Sequence, residues 1–419
     1  MTTHAPDTEP ACPGTLVARA PDLPIDATRS PAALRVERRA FDAIPRRTWD
    51  ELAARNPWAT PFSSWAFTRA WWDAYGASAH DQTLVVCAGA SVAAGPEAGD
   101  LVAIIPLMHR HEVEASDPAT ASKLRGAESG RLTPVPATAK AIFFGASYHS
   151  DYATLLAAPD DLPKITAALV EHLAGPEPSD PEHPADWDVV DLRRLRCGDP
   201  AADALAEAFG AREIAAGWRL NLEREDVCPV VPLTPGMPFE DYLSSLDKKA
   251  RHEIRRKIRR AESAGPVTFT RAPDPLGELD AFIDMHQGKW GENGLFPPTP
   301  GGDASRVFLR RWFEETGPDG PVELWFLSVG ERRIAAGILV DSGDRLMFWN
   351  AGVDAAARDL SPGVVLAGSC VRLALERGRH AFDFLRGNEP YKYEWGARDE
   401  PIQRLLVRND DAPAHGAAT

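Results

Sequence analysis

The stretch Phe348-Trp-Asn-Ala-Gly-Val-Asp-Ala-Ala-Ala-Arg-Asp-Leu-Ser-Pro-Gly-Val-Val-Leu366 decides how this chain is read. An apolar strand gives way to a polar loop, and a helix opens at Ser361-Pro362-Gly363. Serine is a good N-cap, proline suits the first helical position, and glycine lets another group approach the backbone. A helix start offers free N–H groups and the positive end of a dipole, so it is a ready seat for a pyrophosphate. The same residues would equally serve a helix that binds nothing.

Working outward, the spacing predicts strands over 322–329, 334–341 and 345–353. The turns Gly330-Glu331-Arg332 and Ser342-Gly343-Asp344 are short enough for antiparallel hairpins. Downstream come a helix over 362–378, a strand over 381–385 and a last strand near 402–407. Upstream lie a helix over 239–246, a basic helix reaching about 264, a strand at 267–271, and helices at 278–290 and 305–315. The loop after 381–385 gathers Asp383, Arg386, Asn388, Glu389, Tyr391, Lys392 and Tyr393. Strand ends in such sheets are where polar groups converge on ligands. A solvated loop whose tyrosines and Trp395 cover the core is the plainer alternative.

The first half has a similar rhythm. Helices are expected at 46–55 and 64–75, the second capped by Ser63 or Ser64 and ended by Gly76. Strands follow at 83–88, 101–108 and 151–157, then a helix at 162–174 and a strand at 187–192. Both halves therefore run strand, strand, strand, helix, strand, a pattern that suggests internal duplication. Pro232 and Pro235 place a boundary near 228–235, giving domains at 33–228 and 229–409. Residues 1–32 and 410–419 read as disordered tails, and 175–185 as an exposed loop.

A length of 419 residues suits two domains better than one core. The net charge of −15 argues against a protein that coats nucleic acid or anionic lipid over its whole face. It leaves room for a local basic patch. Five scattered cysteines give neither a disulfide framework nor zinc-ligand spacing, so reduced thiols and no metal are expected. The N-terminus lacks a basic start and an apolar run, and no stretch is long enough to span a bilayer. The expectation is a soluble, cytoplasmic protein.

Four segments together resemble the GNAT acyltransferase superfamily, in its CelD/FemAB-like branch. They are Phe62-Ser-Ser-Trp-Ala-Phe-Thr-Arg-Ala-Trp-Trp72, Leu246-Asp-Lys-Lys-Ala-Arg-His-Glu-Ile-Arg-Arg256, Ser361-Pro-Gly363 and Phe382-Asp-Phe-Leu-Arg-Gly-Asn-Glu-Pro-Tyr-Lys392. The resemblance covers roughly residues 35 to 408. It implies an α/β (α+β) chain of two tandem GNAT-like domains, each a mixed, mostly antiparallel sheet flanked by helices. It further implies acyl-CoA, in the form of acetyl-CoA, as co-substrate, with no permanently bound cofactor. The pantetheine would lie between splayed strands resembling 334–341 and 345–353, past Ile338 and Val340. The pyrophosphate would meet Arg358, Ser361, Gly363 and Val364. Only Arg358 and Gly363 remain of the family's usual phosphate loop, and their spacing differs.

Transfer to an amine needs a base, and Asp383, Glu389 and His286 are the candidates in that order. Acceptor contacts would come from Lys392, Arg386, Tyr391, Tyr393, Asn350, Lys289, Trp290 and Asp151. His286 and Lys289, three apart, share a helix face, and such a histidine also serves as a structural partner. Tyr148-His-Ser-Asp-Tyr152 either faces the cleft between the halves or caps a strand. Cys370 reads as core. The helix over 247–260 holds eight Lys/Arg against two acids, a solvated face or a patch for a polyanion. The acceptor would be a small molecule, a sugar or a cell-envelope or exopolysaccharide precursor. The rivals are an aminoacyl-tRNA-dependent peptidyltransferase and a non-catalytic exopolysaccharide assembly factor.

Overall fold

The computed structural model describes residues 34–89, 101–110, 132–135, 139–175 and 187–409. The tails expected at 1–32 and 410–419, and most of the loop expected at 175–185, lie outside them. The first half contains β1 (Leu34–Arg38), α1 (Arg46–Arg55), α2 (Trp65–Tyr75), β2 (His80–Asp81), β3 (Leu84–Ala88), β4 (Leu101–Ile105) and β5 (Leu107–Arg110). It continues with β6 (Ala141–Phe144), β7 (Leu156–Ala157), α3 (Leu162–Ala174), β8 (Val189–Arg196), α4 (Pro200–Ala216) and β9 (Arg219–Pro232). The second half contains α5 (Phe239–Ser245), α6 (Lys248–Ala264), β10 (Val267–Arg271), α7 (Pro275–Trp290), α8 (Pro300–Thr316) and β11 (Val322–Val329). It ends with β12 (Arg332–Asp341), β13 (Arg345–Val353), α9 (Pro362–Glu376), β14 (Ala381–Asp383), α10 (Pro390–Tyr393) and β15 (Arg398–Arg408).

Local chemistry explains most of these elements. Ser64 caps α2 by accepting from the Phe67 N–H, and Asp247 caps α6 by accepting from the N–H groups of Lys249 and Ala250. The single strand expected over 101–108 is two. Pro106 has no N–H to give a ladder, so β4 and β5 part there and enter different sheets. Residues 151–155 form a loop rather than the start of a strand, with a single bridge from Ala153 to Leu195, and only Leu156–Ala157 form a ladder. The helix α4, unforeseen, starts at an Asp199 cap, which accepts from the Ala201 N–H at 2.8 Å.

Among the described residues the strands form two sheets. One is β1-β3-β4-β7; the other is an eleven-stranded sheet, β10-β11-β12-β13-β14-β9-β15-β8-β6-β5-β2. The ladders are antiparallel except for β13–β14 and β6–β8. The mixed, mostly antiparallel sheet flanked by helices is therefore the observed architecture. The long strand β9 pairs with β15 from Arg219↔Arg408 to Val230↔Arg398, so the position near 228 falls inside a strand shared by both halves.

The halves also meet through aromatic packing of α2 on α8. Phe67, Trp71, Phe308 and Trp312 are each at most 1 % exposed, and Phe67 lies edge-on to Phe308 and Trp312. Burying each such side chain contributes roughly 1.5–3 kcal/mol. Cys87, Cys228 and Cys370 are buried free thiols, Cys370 in the core as expected. Cys197 is disulfide-bonded, so the expectation of reduced thiols fails at that position. Among the described residues no helix is long and apolar enough to cross a membrane, and no group of three metal-ligating side chains exists.

Candidate active site

The strands β13 and β14 run side by side only where Arg345–Met347 face Ala381–Asp383. Beyond that point β13 continues to Val353 along β12, while the chain after Asp383 turns to β9, the Phe384 N–H donating to the Pro229 carbonyl. A split opens at Met347 and Asp383. Along its β13 arm Asn350 faces Ile338 and Phe348 faces Leu339, so Trp349 is an extra residue in a β-bulge. Such bulges re-aim side chains and backbone beside active sites.

The split is one strand further along than the resemblance implied. Residues 334–341 and 345–353 form a continuous hairpin from Ala335↔Val353 to Asp341↔Leu346. Ile338 and Val340, expected along the donor's path, are fully buried in the core instead. Their strand has neighbours on both edges, so nothing can enter beside it.

Behind the split, α9 begins in an unusual way. Ser361 is left-handed (φ 54°, ψ 51°) and its hydroxyl does not cap the helix. Its carbonyl accepts from the N–H groups of Val364 and Val365. Gly363 is exposed, and a Cβ there would meet nothing within 4 Å. The basic helix α6 flanks this start, with Arg260 Nη1 donating to the Asp359 carbonyl at 3.1 Å. Within α6, Arg255 pairs with Glu240, and Arg256 and Lys257 with Glu253. Lys248, Lys249 and Arg259, like Arg358 before α9, are exposed.

Asp383, at the vertex, is 0 % exposed. Its carboxylate accepts from Tyr152 Oη at 2.7 Å and from the Leu385 N–H at 2.8 Å, with Arg345 Nη1 at 3.8 Å. Burial pushes its pKa up to about 6, against the Tyr152 hydrogen bond and the Arg345 charge, which pull it down. A carboxyl poised there can take a proton near neutral pH.

The other expected bases are placed differently. His286 is 3 % exposed and uses both ring nitrogens. Its Nε2 accepts from the Leu295 N–H at 3.1 Å, so Nδ1 carries the proton and donates to the Ala351 carbonyl at 3.2 Å. Burial lowers its pKa to about 4. A neutral histidine with no spare lone pair anchors α7 to the β13 arm rather than taking a proton. Gly352 allows α7 to approach this closely, since a Cβ would lie 2.5 Å from the backbone nitrogen of His286. Glu389 is bound to Lys392 at 2.9 Å.

Lys392 was expected to meet an acceptor anion. It is 4 % exposed, and its ammonium donates to the carbonyls of Leu385, Arg386 and Gly387 at 2.9–3.1 Å. All three protons are used to hold the second arm of the split. Arg386, 8 % exposed, lies 3.1 Å from Asp151 through Nε, and its buried Nη1 has no hydrogen-bond partner. Asn350 turns its Oδ1 to the Ala351 N–H. Around the mouth, Tyr391, Tyr393 and Trp290 are 41 %, 37 % and 43 % exposed. Lys289 Nζ sits over the Trp290 ring at 4.5 Å, and burial lowers its pKa against the nearby Glu389. Tyr393 Oη donates to Asp399.

The first half supplies a wall that sequence reasoning only partly found. The Tyr148–Tyr152 segment was singled out, and it does face the seam. The Trp349 indole donates to the His149 carbonyl at 3.0 Å, and His149 Nε2 shares a hydrogen bond with Tyr75 Oη at 2.8 Å. Tyr152 was named only as the end of that segment, and Arg345, Trp349 and Tyr75 were not candidates, because their roles exist only where distant segments meet.

Residues 248–393, from the start of α6 to the end of α10, match the family model described as an acetyltransferase (GNAT) domain. No curated protein matches the chain. Among solved structures, FemX is similar with 11% identity over 86% of this chain and 96% of that one, at a TM-score of 0.50. The C-terminal domain of a putative lysylphosphatidylglycerol synthetase from Agrobacterium fabrum has 13% identity over 87% and 91% of the two chains, at 0.47. The second half of the chain thus carries a GNAT-type domain, and the FemX likeness speaks for the fold alone.

Proposed function

We propose that the chain moves an acyl group, most simply acetyl, from acyl-coenzyme A to a primary amine at the split between β13 and β14. One observation carries this reading: two parallel strands part after three residues, with an open, basic-flanked helix start behind them. A thioester arm can lie only where the sheet has an open edge. The donor's pyrophosphate would meet the α9 start at Ser361, Gly363 and Val364, with Arg358 beside it.

The amine would attack the thioester carbonyl, forming the C–N bond, while the C–S bond breaks and the thiolate leaves. Backbone N–H groups on the open β13 edge near the Trp349 bulge would stabilise the oxyanion. Asp383 would take the amine proton and pass it to the leaving thiolate. The spare Nη1 of Arg386 would receive a carboxylate or phosphate of the acceptor. Tyr391, Tyr393, Trp290 and Lys289 would line the mouth. Acceptors of this kind include amino sugars and cell-envelope or exopolysaccharide precursors, made like acyl-CoA in the cytoplasm, where the reading puts this protein.

A second reading is favoured by the free cations of α6, Lys248, Lys249 and Arg259. They would suit the longer polyanion of an aminoacyl-tRNA donor, whose binding would fall steeply with salt. Calorimetric titration with acetyl-CoA, a longer acyl-CoA and an aminoacyl-tRNA tests both, alongside Gly363→Trp. Saturable acyl-CoA binding abolished by the variant is expected. No acyl-CoA binding by folded protein would overturn the first reading.

A further inference from the structure

Two arms and one loop meet at the seam. The loop over 145–152 reaches the β13 arm through the Trp349 indole on the His149 carbonyl. It reaches the β14 arm twice, through Tyr152 Oη on Asp383 and Asp151 on Arg386. Five non-glycine residues among those described have positive φ, and four of them gather here: Ala146 (57°) and His149 (69°) in the loop, Arg194 (68°) and Leu385 (56°) against it. The Ala153 N–H donates to the Arg194 carbonyl, and the Leu385 N–H to Asp383. Non-glycine residues persist in that conformation only where surroundings over-determine them.

These contacts are a costly way to join two halves. The α2–α8 aromatics already do so with apolar surface. A buried ion pair such as Asp151–Arg386 gains less than apolar packing of the same volume, and here the guanidinium Nε and Nη1 make no hydrogen bond. What polar contacts supply instead is orientation.

We propose that the 145–152 loop is a wedge that sets the split, with Tyr152 and Asp151 as positioning residues for Asp383 and Arg386. The inference rests on the split being the reaction site. The first half is then part of the site's machinery rather than an idle copy. The groups facing Asp383 are Tyr152 from the wedge, Arg345 from β13, Glu400 from β15, Cys228 from β9 and the Leu385 N–H. Of these, the Tyr152 hydrogen bond favours the ionised carboxylate, so its loss moves the Asp383 titration to higher pH.

Two readouts test the wedge in the full chain. Infrared difference spectra against Asp383→Asn follow protonation of the Asp383 carboxyl without any donor. Tyr152→Phe is expected to raise its midpoint by at least about half a pH unit, the worth of one hydrogen bond to a charged group. Calorimetry with acetyl-CoA reads the arm separation, and Asp151→Asn is expected to weaken binding at least about fivefold. Should Asp151→Asn not fold, Trp349→Phe removes the opposite tie and is expected to weaken binding in the same direction. An unmoved midpoint in folded Tyr152→Phe overturns the wedge, whatever acetyl-CoA does. If the wild type fails to bind acetyl-CoA while the midpoint moves, the donor reading falls and the positioning of Asp383 stands.

Discussion

Among the described residues each half holds one parallel strand pair bridged by a helix, and the two pairs end differently. In the first half β6 and β8 pair over Ala141–Phe143 and Val189–Asp191, with α3 between them in the chain. In the second, β13 and β14 do the same around α9. Past the first pair the chain closes its own gap, because Ala153 bridges Leu195 in parallel and its N–H reaches the Arg194 carbonyl. Past the second pair the gap stays open. The helix starts differ as well. Asp160 and Asp161 precede α3 and answer its dipole with their own negative charge. Leu360 and Ser361 stand in the same two positions before α9, whose start faces the cations of α6. The same local architecture is filled by its own chain in one half and left open in the other.

The largest way to break this contrast is at the vertex. Asp383→Asn keeps the shape and removes the base, so thiol release from acyl-CoA with an amine acceptor should fall about 10²- to 10⁴-fold in kcat. Donor affinity should change little. An unchanged kcat would take Asp383 out of the chemistry. For the wild type, kcat/KM should decline as pH falls through about 6, where the carboxyl becomes protonated.

Next in size is the anchor of the open arm. His286 has its folded pKa lowered to about 4 from an ordinary 6.5. The sign follows: stability is full above 6.5 and is lost as pH falls towards 4, where the unfolded chain binds a proton the folded one refuses. The loss attached to this residue is about 3 kcal/mol. Urea midpoints at pH 7.5 and 4.5 should differ less in His286→Gln than in the wild type. Equal differences would mean the ring is not held neutral.

Gly363→Asp copies the first half's acid into the second. Acyl-CoA affinity should drop about tenfold, through repulsion of the pyrophosphate at the helix start. The reverse exchange, Asp160→Asn with Asp161→Asn, should leave acyl-CoA affinity within about twofold, which calorimetry on the same preparation resolves. A loss there would mean the first half binds donor too.

Much of the fold was legible. Periodicity and turn residues give α1 and α3 at their observed bounds, and β10, β11 and β13 likewise. These segments match one period along their whole length and end in caps, glycines or prolines. The strand expected at 101–108 misled because Pro106 sends its two parts to different sheets. Loop 151–155 misled because its apolar residues pack without a ladder. In the site, charge density after an apolar strand pointed to Asp383 and Arg386, both of which lie at the split. Lys392 and His286 are taken up by the protein's own backbone, and no sequence pattern tells whether a polar side chain meets solvent or a carbonyl.

What the sequence determined by itself is most of the elements, the basic helix, a helix start at Ser361-Pro362-Gly363, and the resemblance to an acyltransferase superfamily. Those depend on residues near one another in the chain, where spacing and chemistry act directly. What only the tertiary structure decided is where the sheet splits, which carboxyl is desolvated, and that Tyr152 lies on Asp383 across 231 positions. Burial and strand neighbours fix those features, and both arise from contacts whose sequence separation leaves no periodic trace.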